Sequence, residues 1–370
     1  MTAAPAPAGL ASRLFASGAL AFFLLGMLPA LFGVALPVWA SAFGLQPGQG
    51  GTLFATYNAG AVVTVLAGIL GVPGLAMRPA LALVALGSAG LALGPSWPLL
   101  LLGAFVAGLG YGILAAGVNR RFLLDFGPRG PGMVSFVNAI YGIGAILSPL
   151  LFLLAGRSTP LVFWATAALA ALALALARPE PFRQAAPGLP PLRPRLLILL
   201  LNFGAVALEA ALVGLGATAL VDGGISEPSA ARLVSAFFVL FVAGRLGLAL
   251  VSHRLPPGRT YLVGVAGVAG SMGLALVAPA WGFVLSGLFS AICFPAFFVW
   301  ATRTLGPDPR MGAAILASGL LAGTLGPLAL RPMLGAVGEE GLFWILACFA
   351  AALSVVTAVL RPRLRRLPPP

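Results

Sequence analysis

Long apolar runs dominate this sequence. Twelve of them follow one another along the chain, over residues 14–42, 50–72, 79–96, 98–121, 132–156, 159–177, 196–221, 229–252, 261–278, 280–302, 311–334 and 341–360. Most are near the ~20 residues that an α-helix needs to cross the hydrocarbon core of a bilayer. Hydrophobic residues make up 60% of the 370-residue chain and charged residues 8%. A soluble domain carries roughly 25% charged residues, so this chain has too little polar surface to coat a water-soluble body. The expectation is an all-α membrane protein with twelve transmembrane helices.

The charges say how such a bundle is oriented. All 21 cationic residues are arginine. With both termini on one side, 17 arginines fall on that side, three on the other (Arg157, Arg232, Arg331), and one, Arg245, lies within a span. Short cationic loops resist translocation and stay in the cytoplasm. The pattern predicts a bacterial inner-membrane protein with both termini cytoplasmic. The net charge of +13 does not imply nucleic-acid binding, because the arginines are dispersed over loops and form no basic domain face. The lipid bilayer is the partner they imply, and a monomer suffices.

Catalytic and metal chemistry have few residues to work with. His253 is the only histidine, and the two cysteines, Cys293 and Cys348, each sit within an apolar run, where a small core residue is expected. No metal site, haem site or cofactor is expected, nor a nucleophile–base arrangement. The Gly108-x-Gly110-x-Gly112 run is no nucleotide loop: no strand precedes it and the chain has no lysine. Its glycines suit close helix approach and bending. The first run is too long for a signal-peptide core and is expected to stay as the first helix.

The longest polar break, residues 178–195, is rich in proline and arginine and divides six spans from six. This predicts an N-terminal six-helix bundle over 1–177, a cytoplasmic linker over 178–195 and a C-terminal bundle over 196–370, with disordered termini. The halves echo one another: Met133 precedes Pro149 by 16 positions, and Met311 precedes Pro327 by 16. Each Met follows a similar Gly-Pro-rich turn (Phe126–Gly132 and Leu305–Arg310). Parallel six-helix repeats of this kind are a transporter architecture.

Six plus six spans, a charged middle loop and paired halves resemble the major facilitator superfamily over essentially the whole chain. Finer features resemble its fucose- and glucose-type sugar permease branch: Phe32-Gly33 with Leu36-Pro37 and Phe43 to Gly51, the glycines at 108, 110 and 112 before Asn119, and Asn138 with Gly142 to Ala145 and Pro149. Glu209, Gly244-Arg245 and Phe294-Pro295 follow in order. The resemblance implies two pseudo-symmetric bundles, transport by alternating access and a solute site between the halves. The loop after the second span departs from the superfamily's Gly/Asp/Arg signature: Gly68 to Gly74 leads to Arg78 with no acidic residue. The first and fourth spans also lack the carboxylates that couple protons in sugar–proton relatives.

Glu209 is then the one acid placed deep in the membrane. It lies 14 residues beyond Arg195, roughly 21 Å at the helical rise, where a charge costs a few kcal/mol unless it faces the bundle interior. Three roles stay open: proton carrier, partner of substrate hydroxyls, or structural bond to a neighbouring helix. Asn202, two turns earlier, shares its face, which predicts a polar stripe lining a cavity. Arg245 lies about 12 Å from the cytoplasmic end and can snorkel to water; a gating or structural role is expected. Asn138 and Tyr141 share a face at i, i+3. Asn119 and Trp300 join them as binding candidates, with Trp39, Tyr57 and Asn58 behind. Gly108, Gly112, Pro149 and Pro327 read as packing or hinge positions, and Arg78 as a gating or structural residue.

No nucleotide-binding module is present, so energy must come from an ion or solute gradient. The expected protein is a secondary transporter of a small solute, sugar-like and neutral, with protons as the coupling ion. The alternative is a multidrug or hydrophobic-compound proton antiporter, in which Glu209 meets a cationic drug. An intramembrane enzyme would show clustered His, Asp or Cys at membrane depth, and a scaffold would need no polar stripe.

Overall fold

A computed structural model of the chain describes residues 8–45, 51–72, 74–177, 196–305, 310–338 and 341–365. The expected linker 178–195, the two chain ends and the Gly-Pro turn at 306–309 lie outside the described residues. Twelve α-helices are present: α1 (Ala8–Phe43), α2 (Gly51–Ile69), α3 (Met77–Leu93), α4 (Trp97–Asp125), α5 (Gly130–Leu154), α6 (Thr159–Leu176), α7 (Leu196–Asp222), α8 (Glu227–Val251), α9 (Pro257–Ala275), α10 (Pro279–Leu305), α11 (Arg310–Val337) and α12 (Leu342–Arg365). Each coincides with one apolar run.

Among the described residues, nine helical segments are long and apolar enough by themselves to cross a membrane. The segments Met77–Leu93 and Arg310–Gly326 are shorter apolar ones. Helix α9 is not among these segments: Gly258, Gly264, Gly267, Gly270 and Gly273, along with Arg259, Thr260 and Ser271, dilute its apolar residues. It needs less apolar surface than a lipid-facing span, since it packs against α10 and α12.

Helix ends follow from local chemistry. Pro98 opens α4, Pro131 opens α5 and Pro160 opens α6, at positions where the missing N–H costs nothing. Ser158 Oγ accepts from Leu161 N–H and caps α6. Between α5 and α6 the chain reverses through Gly156 (φ 64°) and Arg157 (φ 60°), consecutive residues in the left-handed region.

The contacts divide the chain into two units, Met1–Gly130 with Val137–Leu192, and Pro131–Phe136 with Arg193–Pro370. In unit 1, α4 lies between α2 and α3, α3 packs on α6, and α1 on α4 and α6. In unit 2, α10 lies between α8 and α9, α9 packs on α12, and α7 on α10 and α12. Every pairing recurs six helices later. The α7–α11 contact has its counterpart in α1–α5, where an added Cβ at Gly26 would strike Tyr141 O and one at Gly144 would strike Phe23 O. The internal repeat inferred from Met133/Pro149 and Met311/Pro327 is thus matched by repeated packing.

Candidate functional site

The deepest charges of unit 2 sit on two helices. Glu209 is on α7, Arg245 on α8, and between them stands α10. Arg245 Nη2 is 3.9 Å from Glu209 Oε1. The arginine side chain is 5% exposed and the glutamate 25%, so the cation is enclosed while the carboxylate keeps an open flank. The guanidinium carbon also lies 4.1 Å from the centroid of the Phe241 ring, one turn before it on α8, a cation–π contact strengthened by dehydration.

A third contact comes from the backbone of α10. Arg245 Nε donates to Ala291 O at 3.3 Å. In an unbroken helix that carbonyl would accept from the N–H of residue 295. Residue 295 is Pro295, inside α10, and proline has no N–H to give. The proline frees a carbonyl within the bundle and the arginine takes it up. The same device recurs on α5: Pro149 deprives Ala145 O of its donor, and Ser148 Oγ donates to it at 3.3 Å.

This overturns the expectation that Arg245 snorkels to water: its guanidinium is buried among a carboxylate, a ring face and a freed carbonyl. Asn202 also differs from expectation. It is fully buried, and its Nδ2 donates to Ile315 O at 3.0 Å and Ser318 Oγ at 2.8 Å, both on α11. Its side chain ties α7 to α11 and lines no open cavity, so Asn202 and Glu209 form no common polar stripe.

Other candidates are also internal. Asn138 Nδ2 donates to Asn119 Oδ1 at 2.8 Å, and Asn119 Nδ2 to Ala115 O at 2.9 Å; the pair joins α4 to α5. Tyr141, on the face of Asn138, is half-buried. Trp300 is buried against Tyr261 (ring centroids 5.7 Å apart) and Phe297 (6.1 Å). An added Cβ at Gly108 would strike Tyr57 O, and one at Gly112 would strike Thr64 Oγ1 and Ala61 O. These two glycines let α4 touch the backbone of α2. Arg78 is exposed at the start of α3, after the positive-φ glycines Gly71 and Gly74. Pro327 lies within the continuous α11. Cys293 is buried, its Sγ donating to Phe289 O at 3.3 Å, whereas Cys348 is exposed and is not the core residue expected. Among the described residues no three His, Cys, Asp or Glu side chains gather to hold a metal.

Sequence reasoning missed Phe241, Ala291 and Ser318 as partners. Phe294-Pro295 was the available signal for Ala291, since a proline within a span announces a free carbonyl four residues earlier.

Twelve helices paired as two matching sets of six, with a charge pair held inside one of them, define a multi-pass membrane transporter rather than an enzyme. The chain belongs to the Major Facilitator Superfamily, whose sequence pattern it matches over residues 18–315. No curated protein sequence matches it closely. Its fold is similar to that of FucP, a Major Facilitator Superfamily transporter solved in the outward conformation, with a TM-score of 0.78 at 18% identity over 93% of this chain and 98% of that one. It is also similar to the proton:xylose symporter XylE bound to 6-bromo-6-deoxy-D-glucose (TM-score 0.71, 15% identity, 94% and 95% covered). A third likeness is to the human organic anion transporter MFSD10 (0.68, 17%, 95% and 100%).

Proposed function

We propose that this transporter moves a small, neutral, sugar-like solute by alternating access, coupled to protons through Glu209. The observation that carries the reading is the Glu209–Arg245 pair: an enclosed cation at 3.9 Å from a carboxylate with an open flank. A carboxylate so placed can exchange a proton with the solute pathway while Arg245 stays fixed by Ala291 O and Phe241. Protonation cancels the attraction and frees Glu209 to move; deprotonation restores it. Two proteins with similar folds support the solute class, one described as the E. coli fucose:proton symporter and the other as a proton:xylose symporter. The proposal places the protein in a bacterial inner membrane with both termini cytoplasmic, as a monomer, its six-helix bundles joined by the 178–195 linker.

Uptake into proteoliposomes with an imposed pH gradient tests it, over a panel of fucose, xylose, glucose and cationic dyes. The wild type should accumulate a sugar above equilibrium. Glu209→Gln should only equilibrate it. Unchanged accumulation by Glu209→Gln would sink the coupling role, and accumulation of dyes alone would replace the sugar with a cationic drug.

A further inference from the structure

Unit 1 has two features that the coupling pair of unit 2 does not use: a buried hydroxyl without a partner and an aromatic cluster around it. Tyr57 on α2 is 2% exposed, and its Oη has no hydrogen-bond partner among the described residues. Tyr261, the comparably buried tyrosine of unit 2, donates its hydroxyl to Leu201 O at 2.6 Å. Buried tyrosine hydroxyls normally find such a partner. Tyr57 is the exception.

Orphaned serine and threonine hydroxyls have a simpler explanation, because a small rotation lets them bond a carbonyl of their own helix, as Thr64 and Thr166 do. The Tyr57 hydroxyl stands at the far end of a ring and cannot reach its own helix that way. The ring itself is closely held. It meets Phe32 edge-on at 5.2 Å and Tyr111 at 5.4 Å. Gly108 sets the second contact by letting α4 touch the Tyr57 backbone one turn before Tyr111. Phe32 in turn stacks on Phe163 at 6.2 Å, and Phe163 on Trp39 at 5.2 Å. A phenylalanine at position 57 would keep every ring contact and avoid burying the hydroxyl. Unlike Tyr57, Phe54 and Tyr111 are only partly buried, and Phe54 meets the shared Phe32 ring edge-on at 5.8 Å.

We infer that Tyr57 is a solute-binding residue of unit 1, its hydroxyl bonding a ring hydroxyl of a neutral, polyhydroxylated solute whose apolar face rests on Tyr111 and Phe54. Carbohydrate rings present that combination of apolar faces and hydroxyl edges. The inference rests on the sugar-like part of the function proposed above, and not on its proton coupling.

Purified full-length protein in detergent, without any gradient, separates the two. Fucose, xylose and glucose are titrated against wild type, Tyr57→Phe and Cys348→Ala while the melting temperature is followed. A sugar should raise the melting temperature of the wild type with a saturable midpoint. In Tyr57→Phe that midpoint should move about 3- to 10-fold higher, as for the loss of one neutral hydrogen bond, while the sugar-free protein melts at the same temperature or above. Cys348→Ala, at an exposed position on α12 outside both sites, should keep the wild-type midpoint. The inference is overturned if Tyr57→Phe binds every sugar as the wild type does, or if none of the three sugars stabilises the wild type. A raised midpoint in Tyr57→Phe together with undiminished gradient-driven uptake by Glu209→Gln would remove the coupling role and leave Tyr57 standing.

Discussion

At the scale of single residues, Arg245 is held by several partners, among them Glu209, Phe241 and Ala291. The 3.9 Å separation from Glu209 is long for a charge-assisted hydrogen bond, and the open flank of the carboxylate adds screening. The aromatic face of Phe241 and the carbonyl of Ala291 add to the hold on Arg245. Removing the cation and removing the acid should therefore have unequal effects. Arg245→Ala leaves a cavity, an unused carbonyl and an unpaired Glu209, and should cost about 2 kcal/mol. Glu209→Gln keeps the contacts of Arg245 with Phe241 and Ala291 and should cost less than about 1 kcal/mol. The double variant should be more stable than the sum predicts, by about 1 kcal/mol of coupling. Unfolding equilibria of the four proteins in detergent check this. Additive losses would mean that the pair is a proximity without an interaction.

At the scale of helices, Pro295 links sequence to site most directly. Pro295→Ala restores an N–H facing Ala291 O, which then competes with Arg245 Nε for that carbonyl. Alanine also favours a helix interior over proline by about 3 kcal/mol in an isolated helix. The variant should melt higher than the wild type yet accumulate solute several-fold less, because Arg245 is no longer held beside Glu209. A higher melting point with unchanged accumulation would show that the bond to Ala291 is incidental. The helices themselves were legible in the sequence because a membrane span needs one property, some twenty apolar residues, and all twelve runs became helices within a few residues of their expected ends. The Glu209–Arg245 contact was not. Counting the helical rise placed Glu209 roughly 21 Å and Arg245 about 12 Å from their cytoplasmic ends, at depths that do not meet. Such counts measure distance along an axis from an end of unknown height, and α7 and α8 neither start level nor run parallel to the membrane normal by necessity. Asn202 shows the complementary failure: sharing a helical face with Glu209 says nothing of which neighbour that face meets, and the neighbour is α11.

At the scale of the whole molecule, the arginines carry information that the fold cannot. The helix pairings are the same whichever way the protein is inserted, but the loops are not equivalent. Loops on one side of the twelve-helix path hold Arg78, Arg129, Arg254 and Arg259, whereas the turns at Gly94–Ser96 and Gly223–Ser226 hold no charge. The proposed orientation holds the arginine-rich loops in the cytoplasm, and single cysteines can test it. Cys293 is buried and Cys348 exposed on the apolar α12, so both are first replaced by alanine. Ser226 and His253 are exposed at opposite ends of α8, a helix of 25 residues and hence about 37 Å long. In intact cells a membrane-impermeant thiol reagent should label Ser226→Cys. His253→Cys should label only after the membrane is permeabilised. The reverse pattern would place the arginine-rich face outside and overturn the orientation, while labelling of both sites in intact cells would mean that α8 does not cross the membrane.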